Sequence, residues 1–361
     1  MSKITWLIRF FCISSVLTSC TSVSIGQKLT ETPIVCAERD LQQASQPITT
    51  TFKDGKLNEI SLGNELSGGR LEVSPDGSKL AIPIYRGTAW TPDGVYIFDI
   101  TNGDLICILH IYNNGAIFEG IAFSPNGSSF ATLYLDGTIL IQNLRNGEII
   151  RELKTIEYDS PGWIDFNIDG TRIVTSGYQQ PARVWNTDTG ELITSVDSAR
   201  VALSPDGNLL AIPDSDGIKI INIATQEVKT TIDYGGEAKV HFLFSPDNDY
   251  LYLLNSFSEV TIWNAHNGKM INKLNPSTDY TEFGWEKEIR LSLSTDGTRL
   301  LMENPTKIIV WDTTSWQELI NGHGKDIDKN IPIVDAVVTP TGEIAVVNYT
   351  YNIIRFWNLN H

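Results

Sequence analysis

Apolar and polar positions alternate along this chain in short runs that turn back every few residues. The pattern is clearest from Arg183 to Ile212, RVWNTDTGELITSVDSARVALSPDGNLLAI. Arg183 to Trp185 alternates, Asn186 to Gly190 is a turn-forming cluster, and Glu191 to Val196 alternates again, which predicts two strands joined by a tight reversal. Arg200 to Leu203 predicts a third strand, closed by Ser204-Pro205-Asp206-Gly207, where proline presets φ and glycine accepts a positive φ. Leu209 to Ile212 predicts a fourth. Strands this short cannot bury a face alone, so such units must stack on copies of themselves.

The copies are present. A strand ending in an aromatic, apolar or amide residue followed by Asp or Asn falls at Phe98-Asp99, Gln142-Asn143, Trp185-Asn186, Ile221-Asn222, Trp263-Asn264, Trp311-Asp312 and Trp357-Asn358, at intervals of 36 to 48 residues. A strand closed by a Ser-Pro-Asp-Gly-like turn falls between them each time. These turns are Ser74 to Gly77, Ser124 to Gly127, Ile168 to Gly170, Ser204 to Gly207, Ser245 to Asn248, Ser294 to Gly297 and Thr339 to Gly342.

This composite pattern resembles the WD40 repeat, over about Lys56 to Asn360. The resemblance implies an all-β, seven-bladed β-propeller of four-stranded sheets. It also implies that the outermost strand of the last blade comes from the other end of the chain. Lys56 to Leu62 (KLNEISL) matches the outer-strand pattern of Glu191 to Val196, so it is expected to pair beside Ile353 to Trp357 and close the ring. The chain departs from the family in its polar tetrad. Its one Gly-His dipeptide is Gly322-His323, and Trp is replaced by Phe98, Gln142 and Ile221 in the blades that keep a turn Asp at Asp93, Asp136 and Asp216.

Ahead of the repeats, Lys3 and Arg9 make a basic start, Phe10 to Leu17 an apolar run too short to span a bilayer, and Leu17-Thr18-Ser19-Cys20 follows. These four residues resemble the lipobox of bacterial lipoproteins. The resemblance implies cleavage after residue 19 and lipidation of Cys20, hence an extracytoplasmic protein anchored in the cell envelope by its acyl chains. Thr21, rather than Asp, points to the outer membrane where there are two. The expected organisation is a signal peptide over 1–19, a lipidated tether over 20–55, rich in Ser, Thr and Gln, and a monomeric propeller over 56–361.

Charge narrows the partners. Loss of residues 1–19 leaves 25 Lys and Arg against 43 acids, a formal charge of −18, which argues against nucleic acid. Of four cysteines, Cys12 would be removed and Cys20 lipidated, leaving Cys36 and Cys107 as a possible disulfide in an oxidising compartment.

Catalytic and metal patterns are lacking: there is no G-x-S-x-G, H-E-x-x-H, C-x-x-C or phosphate-binding glycine loop, and no cofactor is expected. Asp326, Asp328 and Asn330 begin like a calcium loop, but Ile331 and Val337 stand where the glycine and the bidentate acid are needed. Function is therefore expected on the connections that depart from the period. Arg86, Trp90, Tyr158, Trp163, Tyr280, Phe283 and Trp285 lie on enlarged connections that family topology opens onto one rim. Exposed aromatics and arginine are the usual anchors of protein interfaces, which favours a non-enzymatic scaffold for a protein or peptide. The alternative is a lactonase- or hydrolase-like enzyme, or a small-ligand binder, using the central channel. It would need channel residues such as Glu72, Asp165 and His241 to converge, and nothing in their scattered spacing requires that.

Overall fold

The computed structural model describes residues 48–53, 56–63, 66–68, 70–86, 94–109, 118–154, 162–177, 180–215, 217–235, 241–255, 259–274, 290–304, 307–323, 333–339, 343–348 and 353–358. Seven antiparallel sheets follow one another along the chain as the blades of a β-propeller. Blade three shows the unit: Trp163–Phe166 innermost, then Arg172–Gly177, Gln180–Asn186 and Leu192–Val196 outermost. The innermost strands adjoin one another from blade to blade around the axis.

Burial explains the strand patterns. Second strands lie between two neighbouring blades and are apolar on both faces, so every residue of Ser129–Tyr134 is buried. Outermost strands meet solvent on one side, and Leu192–Val196 is exposed or half-buried throughout. Cores form between blades rather than within them. Ala122, Ala131 and Leu133 of blade two pack with Ile164, Ile173 and Trp185 of blade three.

The ring closes as the repeat implies. Lys56–Ser61 pairs with Ile353–Asn358, placing Glu59 opposite Arg355, Ile60 opposite Ile354 and Ser61 opposite Ile353. Arg355 Nε lies 3.2 Å from Glu59 Oε2 across the seam. The sheet also begins earlier than the pattern suggests. Thr49–Lys53, inside the expected tether, adds a fifth strand outside Lys56–Ser61, and its exposed residues leave no alternation to read.

The turns that mark the repeat are built around a buried hydroxyl. Ser204 Oγ donates to Asp206 Oδ1 at 2.6 Å and accepts from the Leu209 amide at 2.8 Å. Ser74, Ser124, Ser245 and Ser294 repeat the arrangement. In blade three Asn167 takes this place, one residue ahead of the expected start at Ile168. At Gly297, φ is +70° and an added Cβ would run into Pro246 of the preceding blade, so a side chain there would be strained twice over. Ser204→Ala should leave the Leu209 amide without its acceptor and lower unfolding free energy by about 1–3 kcal/mol, as read by urea denaturation. An unchanged midpoint would show that the hydroxyl is dispensable.

Two strand tryptophans make short local links. Trp263 Nε1 donates to Thr261 Oγ1 of its own strand at 2.8 Å, and Trp185 Nε1 reaches Thr175 Oγ1 at 3.4 Å.

Candidate functional site

The innermost strands align by counting back from the first turn residue of each blade: Ser74, Ser124, Asn167, Ser204, Ser245, Ser294 and Thr339. Four residues earlier the ring reads Arg70, Gly120, Trp163, Arg200, His241, Arg290 and Asp335. Two residues earlier it reads Glu72, Ala122, Asp165, Ala202, Leu243, Ser292 and Val337. The strand rise separates these levels by about 7 Å. The residues between them, such as Leu71, Ile164 and Leu291, pack into the cores between blades, and so do Trp163, Ala122, Ala202, Leu243 and Val337 of the two levels themselves.

Three neighbouring blades shift register near the first of these levels. In blade one Gly68 pairs with Ile84 and Glu72 with Ala81, so the register shifts between Gly68 and Glu72, and the facing stretch contains Pro83, which has no N–H to offer. The register also shifts between Phe118 and Gly120 in blade two and between Ile333 and Asp335 in blade seven. Such bulges re-aim side chains.

Asp335 is buried and joins three blades. It accepts from the Leu71 amide of blade one at 2.6 Å and from Arg290 Nη1 of blade six at 2.8 Å. Glu303 lies opposite Arg290 on the next strand, with its Oε1 3.9 Å from Arg290 Nη1. Burial, and then the negative charge of Asp335, hold the Glu303 carboxyl well above the usual range against the pull of Arg290. Its Oε2 has no donor beside it, which is costly for an ion but not for an acid whose hydroxyl donates to Asp335. This cluster acts as a staple between blades.

Glu72 and Asp165, scattered in the sequence, come within electrostatic reach of one another. Burial raises Glu72 most, followed by the charge of Asp165, with Arg70 opposing. Burial pushes Asp165 up to about 6, against a hydrogen bond from the Phe166 amide. Asp165 is nevertheless exposed at the surface. Solvent reaches it along the bore, while the surrounding ring displaces most of the bulk water that would stabilise its charge.

These shifts set the pH dependence. Asp165, Glu72, Glu119 and Glu303 bind protons more tightly folded than unfolded, so stability should rise as pH falls, for Asp165 between about 6 and its ordinary 3.8. The turn carboxylates act oppositely. Burial disfavours the Asp76 charge, but hydrogen bonds from Ser74 and Ser78 outweigh this and bring it to about 2, so its contribution is lost below 3.8. The thermal midpoint should therefore be higher at pH 5 than at pH 8 and fall below about pH 3.5. Asp165→Asn should flatten the profile near pH 6; a midpoint rising steadily from pH 5 to 8 would contradict the assignment.

Of the expected rim residues, Trp163 lies not on a connection but at the start of the innermost strand of blade three. It is half-buried beside Val174, Ala182, Val184 and Val201. Arg86 ends a strand opposite Leu66. Trp90, Tyr158, Tyr280, Phe283 and Trp285 lie outside the described residues, as do Cys20 and Cys36 and the Asp326 to Asn330 stretch. Cys107 is fully buried and disulfide-bonded, and the three other cysteines lie outside the described residues. Among the described residues no three His, Cys, Asp or Glu side chains are placed to hold a metal ion.

No protein-family model matches the chain. Its sequence is similar to Actin-interacting protein 1 of Drosophila melanogaster, a WD40-repeat protein, at 23% identity over 159 residues. That alignment covers 42% of this chain and 26% of the fly protein, so the chain spans about a quarter of that relative's length. The fold is a seven-bladed WD40-like propeller, and the similarity to a WD40-repeat protein is a distant one.

Proposed function

We propose that this protein is a non-enzymatic interaction scaffold that binds a protein partner at the mouth of its channel. On this reading it is held at the outside of a bacterial envelope membrane by lipid on Cys20. What supports the reading is the position four residues before each turn, which holds Arg70, Arg200, Arg290, His241 and Trp163 on successive innermost strands of a protein whose overall charge is −16. Arginine and tryptophan are the residues most often found at the energetic centre of interfaces. The distant similarity to an actin-interacting protein supports a protein as the partner class. The buried, bonded Cys107 fits an oxidising compartment, with Cys36 as the proposed partner.

The test is crosslinking mass spectrometry on intact cells, comparing wild type with a Trp90, Trp163 and Trp285 triple-alanine form, after lipidation of Cys20 and a Cys36–Cys107 peptide are sought in both. Loss of a crosslinked protein from a folded triple variant supports the reading. Absence of any partner, or its retention, counts against it. The electrostatic proximity of Glu72 and Asp165 favours a second reading, a small ligand in the bore; a ligand-induced rise in thermal midpoint that Asp165→Asn abolishes would support it.

A further inference from the structure

Blade one has an outermost strand unlike the others. Leu105–Leu109 holds no exposed residue, whereas the outermost strands of blades two to five each begin with two. Ile108 is apolar and buried at the register position where Glu152, Ser195, Thr231 and Lys273 stand exposed. On the side of blade seven the cover is described: Ile48 and Leu105 pack on the cluster that holds Ile108, and a Cβ on Gly103 would run into Leu57 and Thr50.

The side facing blade two differs. In other blades the outer-strand residue that pairs just before the bulge is tied to the turn of the next blade. Arg151 Nη1 donates to the Thr189 carbonyl at 3.5 Å, and Thr230 Oγ1 to the His266 carbonyl at 2.9 Å. Cys107 holds this position in blade one, fully buried and disulfide-bonded, with Leu144 of the next turn in its cluster. Yet that turn stands clear. A Cβ on Gly147 would meet nothing within 4 Å among the described residues, whereas one on Gly190 would meet Leu153 at 3.1 Å and one on Gly268 would run into the Thr231 carbonyl. The junction of blades one and two therefore pairs a buried, bonded sulfur with room that the neighbouring junctions lack.

We propose that residues 36–47 form a strap across the outer edge of blade one, fastened in that room by a disulfide between Cys36 and Cys107. The proposal rests on the reading above of Cys36 as the partner of Cys107, and adds the course of the chain between that bond and the propeller. Ile48 lies 12 residues beyond Cys36, a reach of about 40 Å when extended. Crossing the edge of one blade takes at most two sheet spacings, about 20 Å, so the strap spans it without moving a strand. The bond joins the two sulfurs as both thiols lose their protons, and the two electrons pass to a protein disulfide of the oxidising compartment, which becomes a dithiol. The strap also shortens the free tether behind the lipid on Cys20. Residues 21–35 remain in place of 21–47, which lowers its root-mean-square reach from roughly 30 Å to roughly 20 Å.

The test is limited trypsin digestion of the full chain, purified from the membrane fraction and kept non-reducing, with the peptides read by mass spectrometry. Arg39 lies within the strap and Lys28 on the free part of the tether. Arg39 should be cut about ten-fold more slowly in wild type than in Cys36→Ser or after reduction, while Lys28 is cut equally in all three. Cys36→Ser, which leaves the buried Cys107 in place, should also lower the thermal midpoint by about 3–6 °C. Bonding of Cys107 to any other cysteine would overturn the proposal. So would equal cleavage at Arg39 in wild type and Cys36→Ser, since the bond would then hold no seated segment. The same digest separates the strap from the broader reading. A Cys36–Cys107 peptide with a protected Arg39, from a chain without lipid on Cys20, sinks the anchor alone and upholds the strap.

Discussion

Ile60→Asp should open the ring. Ile60 is fully buried in a cluster with Leu80, Ile82, Ile354 and Phe356, at the strand where the two ends of the propeller meet. Truncating such a side chain costs about 2–5 kcal/mol, and an unpaired buried carboxylate adds several more, within a domain whose whole stability is typically about 5–15 kcal/mol. Losing the closing strand also exposes Ile353–Asn358 as an unpaired edge, an invitation to association. The expected results are loss of amide protection in blade seven first and aggregation on warming, read by hydrogen exchange and light scattering. Ile60→Val, which keeps the packing, should cost only about 0.5–1.5 kcal/mol. If the Asp variant unfolds at the wild-type temperature, the ring does not depend on this strand.

That closure was legible because KLNEISL carries the same alternation as the outer strand Glu191 to Val196. The repeat period and the turn chemistry were legible for the same reason: each local choice is made several times. Thr49–Lys53 was not, since TTTFK is exposed throughout and adds to an edge without burying a face. The channel site was hidden differently. Glu72, Asp165, Glu303 and Asp335 are far apart along the chain, and only closure of the ring brings blades one, six and seven together. A signal existed nonetheless. Aligning the repeats on the turn serine places Arg70, Trp163, Arg290 and Asp335 in one register column, where the repeat otherwise varies freely. What that alignment could not supply is the register shift between Gly68 and Glu72 in blade one, or the commitment of Asp335 to its neighbours.

Asp335→Ala should unlock the same seam from the inside. The variant removes the acceptor of the Leu71 amide, the counter-ion of Arg290 and the partner of the Glu303 hydroxyl at once. Breaking a buried pair by deleting one partner costs about 3–5 kcal/mol, because the other charge stays behind. Arg290, with a quarter of its side chain exposed, can recover some hydration, whereas the Leu71 amide in a buried strand cannot. Asp335→Asn keeps a carbonyl for that amide and should lose less. It also removes the negative charge that helps keep Glu303 protonated, so Glu303 should ionise at lower pH, and the stability lost as pH rises should be smaller and complete at a lower pH than in wild type. Arg290→Met combined with Asp335→Asn should cost less than the two single changes added together, with a coupling of about 0.5–3 kcal/mol, since each single change strands a group that the double change removes. Strict additivity in urea denaturation would mean that Asp335 and Arg290 act independently.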